Sequence, residues 1–147
     1  MLTLKAAPAN QKLTALRQLW EQKRGGRAMP ARSDLTVTNL RPWLGNLALL
    51  DLGARGEVFR LCGVNLFSRF GGDQTGQHVA SLRGEGAQPF RNCVARVRQT
   101  GAPVNQSHMQ ITHGEQMTFE ELALPLTDGG AEMKIVLFAS YPSPTQA

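Results

Sequence analysis

The stretch Trp43–Gly72, WLGNLALLDLGARGEVFRLCGVNLFSRFGG, decides the fold. An apolar run, Leu47–Leu50, continues to Leu52 as one strand, and Val58–Cys62 makes a second. Gly53-Ala54-Arg55-Gly56 between them is turn chemistry, so the two strands form a hairpin. Asn65–Phe70 then predicts a short helix, halted by Gly71-Gly72. A hairpin followed at once by helical turns, with no catalytic motif inside it, opens an α+β domain.

Downstream, Thr75–Leu82 holds a further helical turn and Arg83–Ala87 a Gly-rich loop. Gln88–Gln99 predicts the one longer helix, with Phe90, Cys93, Val94 and Val97 on a single face and Gly101 and Pro103 ending it. Three strands follow, Val104–Thr112, Gln116–Leu126 and Met133–Ser140, with turns at His113-Gly114-Glu115 and over Thr127–Ala131. The expected architecture is a five-stranded antiparallel sheet with the short helices and the longer helix on one face. Yet Leu47–Leu50 and Ile135–Phe138 are apolar on both faces, so the opposite face must be covered as well.

The cover lies upstream. Asn10–Arg24 predicts an amphipathic helix, capped by Asn10 and stopped by Gly25-Gly26. Leu13, Leu16, Leu19 and Trp20 form its apolar stripe, which must bury against the sheet or across a dimer interface. Residues 1–9 are expected to lack regular structure. GGRAMPARSD over Gly25–Asp34 is an irregular connector, with Asp34 the expected cap of a short helix over Leu35–Leu40. The division is a basic extension over residues 1–41, a domain over 42–141, and an unstructured tail over 142–147.

The net charge of +5 is unevenly placed. Residues 1–41 hold eight Lys/Arg against Glu21 and Asp34, a balance of +6, and the remainder balances at −1. Such an arm attracts nucleic acid, an anionic surface or an acidic partner, or else forms a solvated helix face. No apolar run is long enough to cross a bilayer and the N-terminus lacks the apolar core of a secretory signal, so a soluble cytoplasmic protein is expected. Cys62 and Cys93 each sit in an apolar segment, outside any metal-ligand spacing, and read as free thiols. His78 falls in a loop or helical turn and His113 in a hairpin turn. His108 alternates with Gln106, Gln110 and Thr112 in a polar row expected to face solvent. The chain lacks the nucleophile-elbow, zincin, Walker and dinucleotide fingerprints, so no enzyme is expected.

Local strings extend the topology. Trp20, Gly25-Gly26-Arg27, Pro30, Arg32 and Asp34 occur in order, followed by Leu40, Pro42, Leu44 and Asp51. Arg60, Gly63, Phe70-Gly71, Thr75-Gly76, Leu124-Pro125-Leu126 and Asp128-Gly129 complete the series. In their order and spacing, over roughly residues 15–140, these strings resemble a bacterial, alphaproteobacterial-type family of stand-alone PAS-like proteins; Trp43 departs from it, where an aliphatic residue is expected.

The resemblance implies a non-catalytic sensory or regulatory protein that binds a small ligand or a partner protein. It would signal through its N-terminal helix or through oligomeric state, as a homodimer or with a protein partner. The nucleic-acid or anionic-surface binder is the alternative. The ligand pocket is expected between the sheet and the long helix, lined by Leu61, Phe67, Phe70, Phe90, Val94, Met109, Leu122, Leu124 and Phe138. Neither of two cofactors carried by PAS relatives suits these residues. A haem needs a histidine on the long helix, which has none and leaves only His78 ahead of it as a candidate, and in the flavin-type motif Asn92-Cys93 is followed by Val94 where Arg is required.

Overall fold

The computed structural model of the chain describes residues 2–5, 10–112 and 114–143, with side chains from residue 10 onward except at 112. Six strands form one sheet: β1 (Leu2–Lys5), β2 (Leu47–Gly53), β3 (Gly56–Cys62), β4 (Val104–Thr112), β5 (Glu115–Thr127) and β6 (Met133–Pro142). The helices are α1 (Gln11–Arg24), α2 (Val37–Leu40), α3 (Phe67–Phe70) and α4 (Ala87–Thr100), with 3-10 turns at Arg32–Asp34, Arg41–Asn46, Val64–Leu66 and Val79–Ser81. The strand order is β1-β4-β5-β6-β2-β3, every neighbour antiparallel.

The five expected strands and the longer helix are all present, each within a few residues of its predicted ends. Three local expectations are corrected. Residues 2–5 were expected to lack structure, but they pair with Asn105–His108 as an edge strand. Asp34 does not cap the helix after it; its carboxylate accepts from the Ala31 N–H at 2.9 Å, and Thr36 caps α2. The expected tail begins too early, because β6 runs to Pro142 and the Ser143 N–H bonds Thr118 O at 2.7 Å. His113, at the β4–β5 turn, and residues 144–147 lie outside the described residues.

Strand alternation sorts the sheet's side chains into two cores. On the inner face Ala48, Leu50, Val104, Ala123, Val136 and Phe138 meet Phe90, Cys93, Val94 and Val97 of α4. On the outer face Leu47, Leu49, Leu122, Leu124 and Leu137 meet Leu13, Leu16 and Trp20 of α1. The amphipathic stripe of α1 therefore buries on its own sheet. Its start is pinned as the sequence predicts, with Asn10 Oδ1 accepting the Leu13 N–H at 3.1 Å. Its far end is pinned by the Trp20 indole N–H, which donates to Pro125 O at 2.9 Å. Pro125 costs no ladder bond on one side, since β4 begins at Val104 opposite Ala123 and leaves residue 125 without a β4 neighbour.

Candidate functional site

The short helix α3 carries the most unusual side chain of the molecule. Gly71 ends it at φ 81°, a left-handed conformation that glycine adopts freely. The turn so formed directs Phe70 and Arg69 inward, where Arg69 retains only 5% of its exposure. The guanidinium is met from three strands. Its Nη2 lies 2.5 Å from Glu121 Oε2 on β5 and 3.3 Å from His108 Nε2 on β4. Its Nη1 donates to Ser140 Oγ on β6. One face stacks on Phe119, with Cζ 4.1 Å from the ring centroid.

Glu121 is the centre of this cluster and is wholly buried. It accepts from Gln106 Nε2 at 2.8 Å and from Ser140 Oγ at 3.0 Å. His108 Nδ1 stands 3.1 Å from its Oε1, turned so that the contact is not a well-aligned hydrogen bond. Burial alone would push this carboxyl upward; the Arg69 charge, then His108 and the Gln106 amide, outweigh it and hold the group at about 2. Glu121 is thus a carboxylate, and Arg69 is its counter-ion. Besides His108 Nδ1, two buried atoms of the cluster, Arg69 Nε and Gln106 Oε1, have no hydrogen-bond partner among the described residues.

His108 corrects the expectation made for it. With Gln106 at 0% and Gln110 at 8% exposed, its 2% puts this row inside the protein. Alternation shows that the three share a face, and Arg69 and Glu121 make that face habitable for polar groups.

Beside the cluster a cavity of about 370 Å³ opens between α3 and the ends of β5 and β6, lined by Asn46, Asn65, Ser68, Arg69, Met117, Phe119, Ser140 and Pro142. Asn46 Nδ2 donates to Ser140 O and Asn65 Nδ2 to Asn46 Oδ1, both at 2.9 Å, so the polar rim is held by its own bonds. Arg69 is the one charged residue in the lining. This volume lies within the range of small-molecule sites.

The nine residues expected to line a pocket do not share one space. Phe70, Phe90, Val94 and Phe138 meet in the inner core, whereas Leu122 and Leu124, with Leu61 at the margin, lie across the sheet in the outer core. Phe67 is half-buried on α3, and Met109 is 41% exposed. Leu13, Leu16 and Trp20 are buried beneath α1, with Leu19 at the edge of the same core. Sequence reasoning missed Arg69, Glu121, Gln106 and Ser140. The available signal was Glu120-Glu121, two acids set between Phe119 and the apolar run Leu122–Leu126.

Phe59, Phe70, Phe90 and Phe138 also decide how a planar cofactor fits. Phe90 stacks on Phe59 at 5.4 Å and meets Phe138 edge-on at 4.7 Å, so rings fill the space between α4 and the sheet. α4 offers no histidine, and burial pushes the Cys93 thiol far above its ordinary range, away from nucleophilic thiolate. The core as packed does not fit a haem or a flavin.

A larger groove, of about 660 Å³, lies on the outer face between α2 and strands β2 and β6. It is open to water, and of its charged rim Arg60 already pairs with Asp51 at 2.7 Å. The Arg69 cavity is less open and has a buried charged group in its wall, which makes it the stronger candidate. The basic segment is partly neutralised within the fold: Glu21 holds Arg24 at 2.5 Å and Arg17 at 3.4 Å, and Asp34 holds Arg27 at 2.8 Å. Among the described residues no His, Cys, Asp and Glu cluster stands ready for a metal, and no helix is long and apolar enough to cross a membrane.

Solved structures that share the fold include two light-oxygen-voltage proteins. One is described as "Flavin Analogue Sheds Light on Light-Oxygen-Voltage Domain Mechanism"; it matches at TM-score 0.55 and 14% identity, over 73% of this chain and 83% of that one. The other is described as "Structure of an RNA-binding Light-Oxygen-Voltage Receptor"; it matches at TM-score 0.52 and 16% identity, over 76% of this chain and 35% of that one. No curated protein matches the chain. The family model described as PAS domain matches residues 9–137, a span that takes in α1 as well as the sheet beneath it. The chain belongs to the PAS domain family.

Proposed function

We propose that this PAS domain is a non-catalytic sensory module of the cytoplasm that takes a small ligand in the Arg69 cavity. It relays the event through α1 or through its assembly with a second copy or a partner protein. The observation that carries this reading is a fully buried ionic cluster standing at the wall of a partly open cavity. A folded core rarely keeps an Arg–Glu pair for stability, because desolvation cancels most of the attraction. Two partnerless polar atoms in the cluster support the same reading.

β5 supplies the route for a signal. Glu121 faces inward to Arg69, and its neighbour Glu120 faces outward, where Oε1 accepts the Asn10 N–H at the start of α1 at 2.6 Å. A ligand that moves Arg69 acts on Glu121, and one peptide unit links that residue to the cap of α1. The ligand biases the two arrangements only by its differential affinity for them. The nucleic-acid reading finds no comparable feature, since several cations of the basic segment are already engaged.

Native mass spectrometry of the gently purified protein tests the reading, with an absorption spectrum beside it. A co-purified small molecule is expected, released on denaturation and missing from Ser68→Trp, whose indole fills the cavity. A molecule retained equally by the folded Ser68→Trp protein would place the ligand elsewhere.

A further inference from the structure

We infer that the Arg69 cavity selects a neutral, carbonyl-bearing small molecule and rejects the carboxylate with the same body. This rests on the ligand-binding reading above and names the ligand's chemistry. A lone arginine in a pocket ordinarily suggests an anion, but the charge of Arg69 is already matched. Glu121 stands 2.5 Å from Nη2, both side chains are almost wholly buried, and no second cation lines the cavity. A carboxylate entering beside this pair would leave two buried negative charges around one positive charge. That desolvation is not repaid.

What the pair leaves over is a donor and not a charge. Of the five N–H donors of the Arg69 guanidinium, Nη1 gives one to Ser140 and Nη2 meets Glu121 and His108, which leaves a second Nη1–H and the buried Nε–H without an acceptor among the described residues. A ketone, amide or lactone oxygen accepts the spare Nη1–H, which lies beside Ser140 of the lining, without adding charge. The rest of the lining suits such a molecule. Ser68 and Asn65 are neutral polar groups, and Met117, Phe119 and Pro142 form an apolar wall for its body.

Matched fragment pairs test the inference on the intact protein: benzamide against benzoate, cyclohexanecarboxamide against cyclohexanecarboxylate, and indole-3-carboxamide against its acid. The site reporter is the Arg69 Nε–H resonance, identified by its loss in Arg69→Lys. The carboxamides are expected to shift it and to bind roughly tenfold or more tightly than their acids. In Glu121→Gln, which frees the guanidinium charge, the order is expected to reverse. If that variant does not fold, the wild-type comparison decides alone. Acids binding wild type as tightly as amides, with the same signal shifting, would overturn the inference and leave the cavity a ligand site. Neither series moving the signal would overturn both readings.

Discussion

At the scale of single residues, Glu121 and Arg69 bear the heaviest constraint in the molecule. Removing one partner of a buried pair strands the other charge, so Glu121→Gln is expected to lose about 3–5 kcal/mol of stability at neutral pH. The pH dependence has a definite sign. The Glu121 carboxyl is held at about 2, below its ordinary 4.5, so its contribution is full above pH 4.5 and disappears as pH falls towards 2. The part lost over that window is about 3 kcal/mol. Urea unfolding of wild type and Glu121→Gln, compared at neutral and at acid pH, checks this. The gap between them should narrow on acidification, and a gap that is constant or widens would refute the assignment.

This cluster was also the least legible part of the sequence, for a physical reason. Period-two alternation puts Gln106, His108 and Gln110 on one face but does not say whether that face meets water. The polar row reads as solvent-facing because its partners are distant in the chain: Arg69 lies at least 37 residues and Glu121 at least 11 residues from any member of the row, and no local pattern joins them. A four-residue helix such as α3 has too few turns for periodicity to mark Arg69 as its inward residue.

At the scale of elements, legibility was high where one pattern extends over many residues. The stripe of α4 and the cap and stripe of α1 follow from helical spacing, and the two-faced apolar strands β2 and β6 required a covered outer face. Trp20 is the keystone of that cover. Trp20→Ala removes a 2%-exposed ring and the bond to Pro125 O, and is expected to cost about 3–5 kcal/mol in urea unfolding. If α1 packs on its own sheet, ultracentrifugation should show the same assembly state before and after this change. A clean dissociation with an unchanged melting point would instead assign the stripe to a dimer interface.

Gly63 marks a second constraint between elements. A Cβ there would stand 2.4 Å from Gly45 O and 2.5 Å from Leu44 O, backbone atoms of the turn that leads into β2. Gly63→Ala should therefore cost about 1–3 kcal/mol through overpacking, even though φ of −67° suits alanine. An alanine variant as stable as wild type would mean that the two turns separate easily.

At the scale of the whole molecule, the fold is three layers, with α4 and α3 on one face of the sheet and α1 on the other. The N-terminal segment, which composition alone sets apart as a basic extension, completes the outer core and lends an edge strand to β4. The inner core is closed by four phenylalanine rings, so the space for a ligand shifts to the end of the sheet where polar groups gather. A ligand bound there and absent from the unfolded chain must stabilise the fold, by about 2.7 kcal/mol at a hundred times its Kd. A rise in melting temperature that grows with ligand concentration is the expected sign.

The most direct test of a ligand site at Arg69 is a crystal structure of the protein carrying a bound carbonyl fragment. The account predicts density against Arg69, Met117 and Phe119, with the fragment's oxygen toward the guanidinium and the four phenylalanines undisturbed. Density between Phe90 and Phe138, or in the open groove beside α2, would contradict it.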